Sequence, residues 1–179
     1  CMNHQIKELF SPEQSHGCAS LIINESFFKE SLEMRRLLLR GMDALITNVP
    51  GYCVCVTTAD CVPVLLYDKK QHVVAAVHAG WKGTVKHIVS HVMDHLNQKF
   101  GTQGEDVVAC IGPSISLESF EVGDEVYDAF KESGFDMSLI SMKKKETGKY
   151  HIDLWEANRI ELLLSLIHIS EPTRLRRIS

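Results

Sequence analysis

Residues 62–100, VPVLLYDKKQHVVAAVHAGWKGTVKHIVSHVMDHLNQKF, decide the fold. Val62 to Tyr67 is a near-continuous apolar run and Gln71 to Val77 is rich in β-branched residues. Together with the alternating segment Tyr52 to Thr57 just upstream, they are predicted to be buried neighbouring strands. Apolar residues then recur at helical spacing up to Gly101, which predicts a long helix with one core face. The predicted core positions of that helix are Val85, Ile88, Val89, Val92, Met93, Leu96 and Phe100.

Further elements surround this segment in no regular alternation. Upstream, the patterns predict strands at Ala19 to Ile23, Asp43 to Thr47 and Tyr52 to Thr57, and a helix at Phe27 to Leu39. Downstream, they predict strands at 106–111 and 150–154 and helices at 124–132 and 155–166. The irregular order favours an α+β fold, a mixed-sheet layered α/β sandwich in a single domain, over a regular βαβ series.

Composition limits the class of protein. The chain has 179 residues with 45% apolar and 23% charged residues, the mix of one ordinary globular domain. Its 19 Lys and Arg against 23 Asp and Glu give a net charge of −4, which argues against a nucleic-acid or anionic-membrane partner. No apolar run approaches the ~20 residues of a membrane span. Residues 1–10 lack the apolar segment of a signal peptide, and six dispersed cysteines without a C-x-x-C pair are typical of reduced thiols, so we expect a cytoplasmic protein.

Three polar segments lie at predicted element boundaries: Gln14–Gly17, Thr58–Pro63 and His78–Thr84. They carry His16, Cys61 and His78, and imidazole and thiolate are ligand types that suit zinc. Three protein ligands would leave a fourth position for water, as in catalytic zinc sites. The alternative from the residues alone is that each histidine is simply hydrogen-bonded and that the cysteine is inert packing.

Two loops are candidates for substrate contacts. Gly80 and Gly83 allow close backbone approach to a ligand, and a predicted helix start at Gly83–Thr84, together with Lys82, forms a candidate phosphate cradle. The alternative is a tight turn with Trp81 as a packing anchor. The segment Gly112-Pro113-Ser114 can present backbone donors to a substrate or be a plain turn.

Other candidate side chains have ordinary interpretations. Three histidines of the long helix stand at i, i+4 and i+8 beside the apolar stripe, so they are predicted to form a solvated face rather than a metal site: His87, His91 and His95. Cys53 and Cys55 are predicted to be packing residues, and Asp153 is predicted to cap the last helix.

The motifs as a set resemble one family. It is called the multicopper polyphenol oxidase (laccase-like) family, the purine nucleoside phosphorylase family of the laccase-domain type, or peptidoglycan editing factor. The matching blocks are Gln14–Gly17, Asp43–Thr47, Thr58-Ala59-Asp60-Cys61-x-Pro63, His78–Thr84, Ile111–Ile115 and Phe120–Gly123. The resemblance runs from about Phe10 to about Leu163.

The resemblance implies a zinc ion held by His16, Cys61 and His78, in a mixed α/β sandwich with sheets inside and helices outside. It implies phosphorolysis of adenosine, inosine and methylthioadenosine, and deamination of adenosine, with purine nucleosides and phosphate as partners and no organic cofactor. Residues 1–163 are then a laccase-like domain incomplete at both ends, lacking an N-terminal segment with Asn and Arg near the site. Residues 164–179 are a tail with no family counterpart, so His168 and the tail arginines receive no function.

Four functional hypotheses follow. In the favoured one, a zinc enzyme activates water and Asp60, beside the ligand Cys61, moves protons. In the second, a cysteine hydrolase acting on peptidoglycan precursors uses Cys61 as nucleophile and His78 as base. The third is a copper-dependent polyphenol oxidase, which the sequence disfavours because it has no His-x-His pair. The fourth is a non-catalytic interaction domain, which an open ligand set argues against.

Overall fold

The computed structural model describes residues 6–169. The strands are β1 (Glu8–Phe10), β2 (Ser20–Ile23), β3 (Ala44–Thr47), β4 (Tyr52–Val54), β5 (Val62–Asp68), β6 (Val73–Ala79), β7 (Val107–Ile111), β8 (Glu121–Val122), β9 (Ser141–Lys143) and β10 (Tyr150–Ile152). The helices are α1 (Glu25–Lys29), α2 (Leu32–Leu38), α3 (Trp81–Thr84), α4 (Ile88–Phe100), α5 (Asp124–Glu132), α6 (Met137–Ile140) and α7 (Leu154–Ile169), with a 3-10 turn at Gly104–Asp106.

A mixed five-stranded sheet forms the centre of the fold. Its strand order is β2-β3-β6-β5-β7, with β2 and β3 parallel and the other pairs antiparallel. The predicted neighbours β5 and β6 are its antiparallel central hairpin. β1 and β4 pair in parallel, and β8, β10 and β9 form a separate antiparallel sheet. The predicted mixed-sheet α+β class is confirmed.

The main core lies between this sheet and two helices. α4 packs on β6, and α7 packs against α4. The α4 residues that face the core are fully or almost fully buried: Ile88, Val89, Val92, Met93 and Leu96. Burying five such side chains stabilises the fold by roughly 1.5–3 kcal/mol each, so α4 fixes the helix layer against the sheet.

Two predicted helices are interrupted. The segment predicted as one helix from Phe27 to Leu39 is α1 and α2, because the backbone at Glu30 is extended and Ser31 caps a new helix, accepting from the N–H of Met34. The long helix begins at Ile88 rather than at Val85, since His87 takes the left-handed conformation with φ 57°. A left-handed residue cannot continue a right-handed helix, so α3 and α4 are separate.

The prediction for Tyr52 to Thr57 was wrong in extent and in neighbours. The strand β4 stops at Val54 and pairs with β1 rather than with β5 or β6. Its residues are half-buried because they belong to a small satellite sheet rather than to the central one.

The last helix follows its predicted cap. Asp153 accepts a 2.8 Å hydrogen bond from the N–H of Glu156, which confirms its capping role. α7 then continues through the predicted domain boundary after residue 163, and Ser165 and Leu166 are buried. The side chain of His168 and the tail arginines lie outside the described residues, so the division at residue 163 stays a prediction. No helix among residues 6–169 is long and apolar enough to cross a membrane.

Candidate metal-binding site

The register of the β5–β6 hairpin brings two site residues together. Val62 pairs with Ala79, so Cys61, just before β5, lies beside Gly80, just after β6. A Cβ atom at Gly80 would lie 2.9 Å from the Cys61 sulfur and 3.3 Å from Cδ2 of His16. Only glycine permits this approach, which explains the residue at the end of the strand.

Asp43 holds the loop that carries His16. Three consecutive backbone N–H groups donate to its carboxylate, from Ser15 at 3.3 Å, His16 at 2.9 Å and Gly17 at 2.6 Å. His16 takes φ 59°, in the left-handed region that histidine tolerates better than most side chains. Successive N–H groups that converge on one anion in this way form a nest. The nest sets the His16 ring edge-to-face on the His78 ring, with centroids 4.8 Å apart.

The same carboxylate fixes the second histidine. Asp43 Oδ1 lies 2.9 Å from Nδ1 of His78, and the backbone carbonyl of Asp43 accepts from the N–H of His78 at 2.8 Å. Both side chains are buried. Burial alone would raise the pKa of Asp43, but the hydrogen bonds from His78, Gly17, Ser15 and His16 outweigh it and hold that pKa below its ordinary value. The ionised Asp43 keeps the proton of His78 on Nδ1 and leaves Nε2 as the donor atom for a ligand.

His16, Cys61 and His78 form a group that could hold a metal ion. Their candidate ligand atoms all lie within 4.8 Å of one another, and among the side chains that the structure describes, residues 6–166, this is the one such group of histidine, cysteine and acidic residues. The group runs from exposed His16 through half-buried Cys61 to buried His78, so one side faces solvent. Three donors with an open side fit a metal that keeps a position for water or substrate.

The surroundings of Cys61 disfavour a free thiolate nucleophile. Burial, and then the charges of Asp60 and Asp43, raise the pKa of its thiol. An activated cysteine nucleophile needs the opposite shift. A bound cation would compensate these effects and favour the thiolate.

Gln14 joins the two loops that supply ligands. Its side-chain oxygen accepts from the N–H of Thr57 at 2.8 Å, and its amide nitrogen donates to the Thr57 carbonyl at 2.8 Å. This pairing ties the His16 loop to the chain that leads into Cys61. Sequence reasoning gave no role to Gln14 or to Asp43. The available signal for Asp43 was an acidic residue directly before the apolar residues Ala44 to Ile46.

Asp60 directly precedes Cys61 in the chain, and backbone hydrogen bonds tie the loop that carries Ser114 to the same segment. Asp60 is exposed, and its carbonyl accepts from the N–H of Ile115 at 3.0 Å. The N–H of Gly112 donates to the Pro63 carbonyl at 2.9 Å. The loop with half-buried Ser114 therefore runs beside the segment that carries Cys61.

Lys82 is the exposed cation of the loop after β6. The one-turn helix α3 begins at Trp81, so the prediction that a helix starts at Gly83–Thr84 was wrong. Lys82 Nζ lies 5.6 Å from the centre of the Trp81 ring, and Lys82 is exposed to solvent.

The next two residues serve packing. A Cβ atom at Gly83 would lie 2.8 Å from the carbonyl oxygen of Gly17, so glycine lets the His16 loop pack on α3. Thr84 is fully buried, and its N–H and hydroxyl both donate to the Gly80 carbonyl. Burial therefore leaves Thr84 no group facing solvent, contrary to a phosphate contact by its side chain.

The histidines at the start of α4 and on it do not belong to the candidate metal group. His91 is exposed, as predicted. The solvated-face prediction was wrong for the other two, because His87 Nε2 lies 3.0 Å from the Ser133 carbonyl oxygen and His95 Nδ1 lies 2.7 Å from the Ser20 hydroxyl. Both rings are half-buried and serve structural contacts between elements.

The other cysteines of the described part are also free thiols: Cys18, Cys53, Cys55 and Cys110. Cys53 and Cys55 are half-buried, which agrees with a packing role. Cys61 is the cysteine that shares a cluster with two histidines.

Known proteins match most of this chain in sequence. A family model described as multi-copper polyphenol oxidoreductase laccase matches residues 1–173. A purine nucleoside phosphorylase of Bacteroides thetaiotaomicron is 59% identical over 157 residues, 88% of this chain and 58% of that protein. Adenosine deaminase RL5, from an unknown prokaryotic organism, is 40% identical over 158 residues, 88% of this chain and 60% of that protein.

Solved structures share the fold. Hypothetical protein YfiH of Bacillus licheniformis superposes with a TM-score of 0.78 at 28% identity, over 91% of this chain and 61% of that one. YlmD of Geobacillus stearothermophilus gives a TM-score of 0.77 at 26% identity, over 96% of this chain and 64% of that one. The chain thus spans about three fifths of the length of these relatives.

Proposed function

The chain belongs to the multi-copper polyphenol oxidoreductase laccase family, and from this membership we propose that it is part of a zinc-dependent purine nucleoside enzyme. The proposed reactions are phosphorolysis of adenosine, inosine and methylthioadenosine, and deamination of adenosine. Two relatives carry the names purine nucleoside phosphorylase and adenosine deaminase, which supports both reactions. The observation that carries the proposal is the convergence of His16, Cys61 and His78.

The ligand set fits zinc. Two imidazole nitrogens and one thiolate are donors that zinc prefers, and three protein ligands are the usual number at its catalytic sites. When bound, a zinc ion acts as a Lewis acid that activates water near neutral pH. The Asp43 carboxylate orients both histidines, because it contacts the ring of His78 and accepts from the backbone N–H of His16. Such outer carboxylates raise the basicity of a ligand histidine and hold its ring in place.

The chain's own polar groups are then assigned to substrate. In deamination, water adds to C6 of the purine and ammonia leaves, so a group must move protons between them. We assign that role to exposed Asp60, next to Cys61. In phosphorolysis, a phosphate oxygen bonds to C1′ of the ribose while the glycosidic bond breaks and the base leaves with a proton.

Phosphate and sugar contacts are assigned to the two loops beside the metal group. Lys82 supplies an exposed ammonium for phosphate. Ser114 supplies polar groups from the loop that borders Asp60. Gly83 and Thr84 act indirectly, by packing the Lys82 loop against the His16 loop and by fixing its backbone.

The test uses zinc-loaded protein, with products separated by chromatography. Adenosine alone should give inosine, and adenosine with phosphate should also give free base and ribose 1-phosphate. His78→Ala should suppress both activities together, whereas His91→Ala, which changes an exposed histidine of α4, should leave them intact. Phosphorolysis that survives in His78→Ala would contradict a shared site. Hydrolase activity that the protein keeps without metal, and that alkylation of Cys61 abolishes, would instead support the cysteine-hydrolase hypothesis.

A further inference from the structure

A second group of interest lies in a cavity between α4, α6 and α7. The cavity has a volume of about 230 Å³, and its apolar walls come from Phe135, Leu139, Ile160 and Leu164. None of the three candidate metal ligands lines it. It is therefore separate from the site assigned to purine nucleosides.

Glu161 is the polar residue of this cavity that the fold does not satisfy. It lines the cavity from α7 and is 3% exposed. Its Oε1 accepts from the N–H of Ser90 at 3.3 Å and lies 3.5 Å from Nδ1 of His87. Its Oε2 is buried and has no hydrogen-bond partner among the described residues. A buried carboxyl oxygen without a partner is unfavourable, and a ligand that donates to it would remove that penalty.

The charges around the cavity favour a cation. Asp136 stands on the rim, and hydrogen bonds from the hydroxyl and N–H of Ser138 lower its pKa, so it is ionised. No Lys or Arg is among the lining residues, and the one basic side chain there, His87, faces Glu161 Oε1 and not Oε2. Burial raises the pKa of Glu161 to about 7, against smaller opposing effects of hydrogen bonds from Ser90. A nearby positive charge would favour its ionised form.

We propose that this cavity binds a linear primary alkylammonium, with the Glu161 carboxylate accepting from the ammonium group and the apolar walls covering the chain. The observations that carry the proposal are the unpartnered Oε2, the acidic rim and the four apolar walls. A volume of 230 Å³ corresponds to about seven waters at ~30 Å³ each, and hexylammonium has a similar number of heavy atoms.

The first test compares three probes of equal length on zinc-loaded protein: hexylammonium, hexan-1-ol and hexanoate. Binding is measured by isothermal titration at pH 8, above the raised pKa of Glu161 and below the value of about 10.4 typical of an alkylammonium. Hexylammonium should bind at least tenfold more tightly than either other probe. Equal binding of hexan-1-ol would overturn the proposal, because it would show an apolar cavity without a charge preference.

The second test uses variants. Glu161→Gln should weaken hexylammonium binding at least tenfold, while Glu132→Gln, which changes an exposed residue of α5, should have no effect. Leu164→Trp fills the cavity from a wall residue that is 52% exposed, so the protein should stay folded and lose binding. Unchanged affinity in either Glu161→Gln or Leu164→Trp would overturn the proposal.

A final variant separates this cavity from the metal site, since an amine can also bind a metal. Cys61→Ser should leave hexylammonium affinity unchanged, because Cys61 does not line the cavity. Loss of binding in Cys61→Ser would show that the amine occupies the metal site and would overturn the proposal. Failure of the nucleoside assay would not affect either result.

Discussion

Replacing Asp43 by Asn should damage both the stability of the fold and the affinity for zinc. The carboxylate accepts hydrogen bonds from the backbone and hydroxyl of Ser15, from the backbone of His16 and Gly17, and from the ring of His78. Asparagine keeps one acceptor oxygen and adds a donor in place of the other. Two or more of these donors must therefore face an NH₂ group in a buried site.

The size of both effects depends on which carboxylate oxygen of Asp43 is replaced by the NH₂ group of asparagine. If the Asn oxygen stays with Ser15 and Gly17, its NH₂ group opposes the N–H of His16 and Nδ1 of His78. The His16 N–H is then unpaired, and His78 must move its proton to Nε2, the atom assigned to the metal. An unpaired buried donor and the loss of charge-assisted bonds together cost about 3 kcal/mol of unfolding free energy. Loss of an outer carboxylate typically lowers metal affinity by about 10–100-fold.

The assay pairs urea unfolding with zinc competition against a chelator. The matched control is Asp68→Asn, since Asp68 is also buried and accepts from the N–H groups of Lys70 at 2.8 Å and Gln71 at 2.9 Å. Asp68 ends β5, whereas Cys61 precedes it, so the two lie at opposite ends of the strand. The control should keep its zinc affinity, because both N–H groups bond to Oδ1, which asparagine retains, and Asp68 lies at the far end of β5 from Cys61. Wild-type zinc affinity in Asp43→Asn would refute the reasoning.

Three further perturbations separate the site from its surroundings. Gly80→Ala should lower zinc affinity at least tenfold, because the new methyl group would lie 2.9 Å from the Cys61 sulfur. Wild-type zinc affinity in the chelator competition would count against the proposed site geometry. Replacing the N-cap histidine of α4 and the two histidines on that helix by Gln should lower the urea midpoint and leave zinc content unchanged. Loss of zinc would show that the wrong histidines were chosen. The three are His87, His91 and His95. The pKa of Glu161 rises from 4.5 to about 7 on folding, so its contribution to the free energy of unfolding is present below pH 4.5 and is lost as pH rises through about 7. Glu161→Gln should therefore flatten the decline of the unfolding free energy over this pH range. A pH profile of stability identical to that of the wild type would contradict this prediction.

The sequence predicted the elements whose patterns are local. The β5–β6 hairpin and α4 follow from apolar runs and helical spacing, which depend on the chain itself. The breaks before Ser31 and at His87 were missed because each depends on a single backbone conformation that periodicity does not encode. The neighbour of β4 was missed because strand pairing across the chain is a tertiary choice.

The candidate site, like the fold, was predicted only in part from the sequence. His16, Cys61 and His78 were proposed from residue type and the resemblance of their motifs, and the fold brings them together. Asp43 was given no role because it acts through the backbone N–H groups of the His16 loop and the ring of His78. These groups lie at least 26 residues from Asp43 in the sequence, so only the fold brings them to it. The phosphate cradle predicted at Gly83–Thr84 stays a prediction, but the Thr84 N–H and hydroxyl both donate to the Gly80 carbonyl, a contact that the sequence pattern does not encode.

Metal analysis of purified protein tests the central claim most directly. Wild-type protein and Cys110→Ala, which changes an exposed free cysteine, should each contain about one zinc per chain, because neither alters the three proposed ligands. Cys61→Ala should lose most of that zinc, since it removes the thiolate. Stoichiometric copper without zinc in the wild type, or full zinc content in Cys61→Ala, would contradict the account.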